Sequence, residues 1–185
     1  EVAYAWRAAM MRKIGPTMLV LTRQNLPIFD RGKVASAEGL LKGAYVLSKE
    51  KGTTPVLILI ASGSEVQLIL SAQEKLAVGG IDARVVSMPS WELFQEQPRD
   101  YRDEVLPPTV KSRLAVEAGS PLGWREWVGD AGDYIGVDKF GGSAPYKEIF
   151  KHYGLTVENV VTRAKNLVQK NLKSQKATAM KEGGR

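Results

Sequence analysis

A handful of short stretches hold residues whose types and spacing could do chemistry. Ala61-Ser62-Gly63-Ser64-Glu65 is a small-residue turn between an apolar run and a helix-like pattern, the setting in which backbone amides bind anions. The spacing Ser62-x-x-Glu65 is also that of a capping box, which satisfies the same amides internally, and Glu65 puts a carboxylate where a phosphate would sit. Phe140-Gly-Gly-Ser-Ala-Pro145 is a second glycine turn. Ser143 fits there as a helix N-cap and Pro145 as a first-turn residue. In both turns, helix initiation outweighs anion binding. Neither a P-loop nor a dinucleotide GxGxxG pattern occurs.

Thr22-Arg23-Gln24-Asn25-Leu26-Pro27 offers different chemistry. If Thr17–Thr22 is a strand, Arg23 stands at a sheet's carboxyl edge, where ligands collect. Its planar guanidinium suits phosphate, although strand-terminal arginines commonly form salt bridges instead. The single histidine, His152, closes a predicted helix and is suited to that helix's dipole. With one histidine and no cysteine, a multi-histidine metal site, a thiolate zinc site, an iron–sulfur centre and a cysteine nucleophile are excluded within the chain. Glu117, Glu126, Asp130, Asp133 and Asp138 follow no EF-hand or DxD spacing. Trp91, Trp124, Trp127 and Tyr101 read as packing anchors. Leu122–Trp127 suggests a surface helix offering aromatics to another subunit or domain.

These residues need elements to position them. Residues 2–12 are apolar around most of a helix, which implies burial on several sides or membership of a larger body. Gly15-Pro16 ends it, and Thr17–Thr22 has the composition of a buried strand. Residues 27–38 are breaker-rich and read as a linker. Strands follow at Ala44–Ser48 (an edge), Val56–Ile60 (central), Ala83–Ser87, Arg113–Glu117 and Tyr134–Val137. Helices are expected at Ser64–Ala77, Trp91–Glu96, Pro121–Val128, Ala144–Tyr153 and Val157–Leu172. The stripe of the first holds Val66, Ile69, Leu70, Ala72 and Leu76. Strands alternating with helices predict a three-layer α/β domain with a mostly parallel five-stranded sheet flanked by helices.

The 185 residues suffice for one domain with a proper core, or one domain and part of another. The net charge is +6, and residues 163–185, with seven basic groups against Glu182, carry that whole excess. Residues 1–162 are neutral, so the basic end reads as a solvated tail, frayed from about residue 173, and not as a nucleic-acid footprint. The longest apolar run, Val56–Ala61, is too short to span a bilayer. No basic-then-apolar leader is visible. A soluble, cytoplasmic protein is expected, and the absence of an initiator methionine suggests a piece of something longer.

The order of segments resembles the carboxyl-terminal part of transketolase. The likeness rests on Leu21–Pro27, Ile60–Val66, Ala83–Ser90, Tyr101–Pro107, Val116–Gly119, Phe140–Pro145 and Phe150 with Tyr153–Val161, and covers residues 1 to about 172. The resemblance implies that residues 1–26 are the last helix and strand of a pyrimidine-binding domain. It implies that 27–38 are a linker, 39–172 the family's C-terminal domain and 173–185 a tail. It further implies that Arg23 binds the substrate's phosphate, while this chain supplies no catalytic, cofactor-binding or metal-binding residue. Those parts, with thiamine diphosphate and a divalent cation (Mg or Ca), would belong to a full-length homodimer transferring a two-carbon ketol unit between sugar phosphates in the pentose phosphate pathway. Two other readings stay open: a related thiamine-diphosphate enzyme (deoxyxylulose-phosphate synthase or a 2-oxoacid dehydrogenase β-subunit), or a stand-alone regulatory module binding an anion at Ser62–Glu65 or Gly141–Ser143.

Overall fold

The computed structural model describes residues 1–182. Five strands, β1 (Tyr45–Ser48), β2 (Leu57–Ala61), β3 (Ala83–Ser87), β4 (Arg113–Val116) and β5 (Asp133–Ile135), form one sheet in the order β1-β3-β2-β4-β5. Only the β1–β3 pairing is antiparallel; β3–β2, β2–β4 and β4–β5 are parallel. All five residues of β2 are fully buried, as a central parallel strand covered on both faces must be. Leu57, Leu59 and Ala61 face one helical layer, and Ile58 and Ile60 the other.

The first layer holds α2 (Val66–Val78) and α7 (Val157–Glu182). Val66, Ile69, Ala72 and Leu76 of α2 meet Val160, Ala164, Leu167 and Val168 of α7, both sets at helical spacing. Leu70, expected in this stripe, is half-buried at its margin. The second layer holds three short helices, α3 (Trp91–Gln95), α4 (Arg99–Val105) and α5 (Trp124–Val128). Trp124 and Trp127 are 3% and 6% exposed. They pack with Trp91 and Phe94 inside this layer. The expected surface helix offering aromatics to a partner is therefore corrected: its rings fill the chain's own core.

Three further expectations are corrected. Thr17–Thr22 forms no strand and is largely exposed, because no strand of the sheet lies beside it and a strand alone cannot satisfy its backbone. Arg23 consequently follows an irregular segment and is not at a sheet edge. The basic end is not irregular from 173: α7 continues to Glu182, with Ser174 Oγ donating to the Lys170 carbonyl at 3.1 Å. Residues 183–185 lie outside the described residues. Finally, α4 was not anticipated; among its residues only Val105 is buried, too little for a visible period.

Helix α1 (Val2–Met11) buries no residue. It is held at its start, where the Glu1 carboxylate accepts from Tyr45 Oη and Ser87 Oγ, both at 2.6 Å. Val2, Trp6, Met10, Met11, Ile14, Met18, Val20, Leu21 and Ile28 are all more than half exposed. The breaker-rich segment 27–38 lies along the sheet's edge, with Ala35 N donating to the Leu47 carbonyl at 2.9 Å and Phe29 and Val34 resting on the core.

Candidate functional site

The carboxyl ends of β2 and β4 are neighbours, but the chain leaves them toward opposite faces: β2 feeds α2 and β4 feeds α5. Such a divergence opens a crevice above the sheet, the place where open α/β sheets bind ligands. A cleft of about 310 Å³ lies there, lined by Ser62, Ser90, Trp91, Glu92, Glu117 and Trp124 among others. Ser62 follows β2 directly and Glu117 follows β4 directly, so the two strand ends present them side by side. Ser62 Oγ donates to Glu117 Oε2 at 2.8 Å.

Glu65 lies beneath them. It is 3% exposed, with Oε2 accepting from Ala118 N at 3.2 Å and Oε1 from Ser64 Oγ. The expected capping box is thus overturned. Ser62 caps nothing, because its hydroxyl reaches across to the next strand, and Glu65 ties the β4 loop down instead of turning back on its own helix. Burial pushes the Glu65 carboxyl upward, against the bonds from Ser64 and Ala118. Burial likewise raises Glu117, to about 7; Ser62 opposes the rise and the neighbouring Glu65 adds to it.

Tyr134 in β5 completes the rim. Its hydroxyl donates toward the Gly119 and Glu117 carbonyls at 2.5 and 3.3 Å, fixing the loop after β4. A Cβ on Gly136 would overlap that hydroxyl, so glycine makes room for the contact. On the opposite wall, Trp91 meets Trp124 edge-to-face with centroids 5.1 Å apart. Gly123, at φ 88°, permits this approach, since a side chain there would strike the Trp91 ring.

The sequence-derived candidates lie apart from this cleft or change character within it. Arg23 sits in an exposed bend, and no hydrogen bond or ion pair to it occurs among the described residues. Gly141–Ser143 is an exposed loop. The expectation that Ser143 caps the next helix fails: α6 (Tyr146–His152) begins beyond Pro145, with no side-chain cap. His152 ends α6, exposed and edge-on to Tyr153. Glu117 was visible only as one carboxylate among several; what marks it is the end of a buried strand two residues before Gly119, a feature that gains meaning once β2 and β4 are neighbours.

The donor set also speaks to cofactors. Among the described residues no cluster of three His, Cys, Asp or Glu is placed to hold a metal ion. No lysine or arginine is among the cleft's described lining residues, and its carboxylates would repel a diphosphate. These residues do not fit thiamine diphosphate and its cation.

Residues 43–156 match the family model of the transketolase-like C-terminal domain. The chain belongs to this family. It is 51% identical over 170 residues to the transketolases of Geobacillus stearothermophilus and Bacillus subtilis, covering 92% of this chain but only 25% and 26% of theirs. The transketolase of Leishmania mexicana superposes with a TM-score of 0.82 at 38% identity over 91% of this chain and 24% of its own. A Pichia stipitis transketolase in complex with sedoheptulose 7-phosphate gives 0.81 at 36% identity over 90% of this chain and 23% of its own. The chain thus spans about a quarter of the length of the transketolases it matches. These matches favour transketolase over deoxyxylulose-phosphate synthase, a 2-oxoacid dehydrogenase β-subunit or a stand-alone module.

Proposed function

We propose that this chain serves as the C-terminal quarter of a transketolase, acting in the cytoplasmic pentose phosphate pathway as part of a homodimer. In this reading the whole enzyme transfers a two-carbon ketol unit from a ketose phosphate to an aldose phosphate. Thiamine diphosphate with its divalent cation (Mg or Ca) is held by the polypeptide that this chain does not contain. The observation that carries the reading is 51% identity over 92% of the chain to named transketolases.

Arg23 is this chain's contribution to the site: it grips the phosphate of the sugar. Its guanidinium is exposed and bears no partner among the described residues, so a phosphate displaces nothing. A charge-assisted grip remote from the reacting carbons adds binding and orientation. The many exposed large apolar side chains of α1 and residues 14–28 support the reading too, since apolar surface left uncovered by a chain's own core marks an interface. Residues 1–26 would dock there as the end of the pyrimidine-binding domain.

The test is a chimera in which this chain replaces the matching segment of the Geobacillus stearothermophilus transketolase. Arg23→Ala in that chimera should raise KM for xylulose 5-phosphate, losing roughly 1.5–3 kcal/mol of binding. A KM unchanged from the parent chimera removes Arg23 from the site.

A further inference from the structure

The cleft between the ends of β2 and β4 takes no part in the phosphate grip proposed for Arg23, and its chemistry is of the opposite sign. We propose that it is a binding site for a small organic ammonium ion, with the charged head on Glu117 and the apolar stem against Trp91 and Trp124.

Four observations converge on this ligand class. The cleft lies where chain connectivity leaves a crevice at the carboxyl ends of parallel strands. At about 310 Å³ it has the capacity of a small-molecule site. Its charged lining groups are the carboxylates Glu92 and Glu117, with no described lysine or arginine to receive an anion. Its wall carries two indole rings meeting edge-to-face, apolar surface against which a short alkyl stem packs. Ser62, which donates to Glu117, keeps its oxygen's lone pairs for an N–H donor, while the Ser90 and Ser120 hydroxyls already accept from Leu93 N and Leu122 N. A sugar phosphate or nucleotide meets two carboxylates here, and a bare metal ion finds no third ligand among the described residues.

Occupancy is tied to protonation. Glu117 is faced by Glu65 from the turn before α2, by the Ser62 hydroxyl after β2 and by Tyr134 from β5; Glu92 of α3 lines the same cleft, and Asp138 lies beyond Tyr134. No basic group in this set competes for it. Titrating at about 7, Glu117 is about ten times more ionised at pH 8 than at pH 6. An ammonium head prefers the carboxylate, so affinity must rise across that interval.

The experiment is a tryptophan-fluorescence and NMR titration of the 185-residue chain with three probes of one size: n-butylammonium, n-butanol and butyrate. Saturable binding of n-butylammonium is expected at pH 8, about tenfold weaker at pH 6, with little response to the other two. Glu117→Gln should abolish the pH dependence and most of the affinity. Glu92→Gln, on the exposed surface of α3, tests the same point if the first variant does not fold, and should weaken binding severalfold. Equal binding of n-butanol, preference for butyrate or inorganic phosphate, tighter binding at pH 6, or no saturation with n-butylammonium would each overturn the proposal. None of these outcomes bears on transketolase activity.

Discussion

Ser62 and Glu117 show how one hydroxyl changes role between sequence and structure. The spacing to Glu65 was that of a cap, yet Ser62 donates across the sheet to Glu117, and this bond holds the Glu117 carboxyl down against burial. Removing the hydroxyl in Ser62→Ala should therefore move the Glu117 titration upward from about 7, as followed by side-chain carboxyl NMR; a midpoint that stays or falls would contradict the assignment. The linkage to folding has a definite sign. Because Glu117 is raised above the ordinary carboxylate value in the fold, the native state holds its proton longer than the unfolded chain does. Stability should be greatest at or below about pH 4.5 as far as this group is concerned, and should fall, on the order of 3 kcal/mol, as pH rises through about 7. Glu117→Gln should flatten that decline in urea unfolding measured across the range; an unaltered decline would place its origin elsewhere. None of this could be read from the local sequence, because the two residues lie 55 positions apart and become partners only through sheet order. Arg23 is the reverse case: its chemistry was legible from residue type and resemblance, but the strand expected to present it needs neighbours that this chain's sheet does not supply.

At the scale of elements, hydrophobic pattern carried most of the information. The five strands fell within a residue or two of expectation, because Leu57–Ala61, Ala83–Ser87 and Arg113–Val116 are short apolar runs bounded by turn residues. What escaped was α4, whose inward side chains Tyr101 and Val105 are too few to show a period and which polar links help to hold. Arg84 of β3 makes a bidentate pair with Glu50 (Nη2–Oε1 2.5 Å, Nε–Oε2 2.8 Å), and its Nη1 donates to the Glu104 and Val105 carbonyls at the end of α4. Arg113 similarly donates to the Val110, Trp127, Leu106 and Pro107 carbonyls, joining α5 to the loop after α4. The Arg84 and Glu50 side chains are only 12% and 6% exposed, and Arg84 holds Glu50 below the usual carboxylate range. Arg84→Ala leaves Glu50 buried without its partner, so the chain should lose about 3–5 kcal/mol in chemical denaturation. A loss below about 1 kcal/mol would show that water reaches Glu50 and that α4 is anchored by other means.

Considered whole, the molecule joins a well-covered three-layer domain to an N-terminal arm that its own core does not cover. The neutral charge of residues 1–162 and the basic C-terminal helix follow from composition; the exposed apolar face of the arm emerges only when α1 is found to bury nothing. On the reading proposed above, the remaining polypeptide of a transketolase lies against that face. On that reading the chain is competent within a larger body and incompetent alone. The most direct measurement compares ketol transfer from xylulose 5-phosphate, with thiamine diphosphate and magnesium supplied, by the isolated 185-residue chain and by the chimera with the Geobacillus stearothermophilus enzyme. Turnover is predicted for the chimera and none for the isolated chain. Turnover by the isolated chain, or a folded chimera that transfers nothing, would contradict the account.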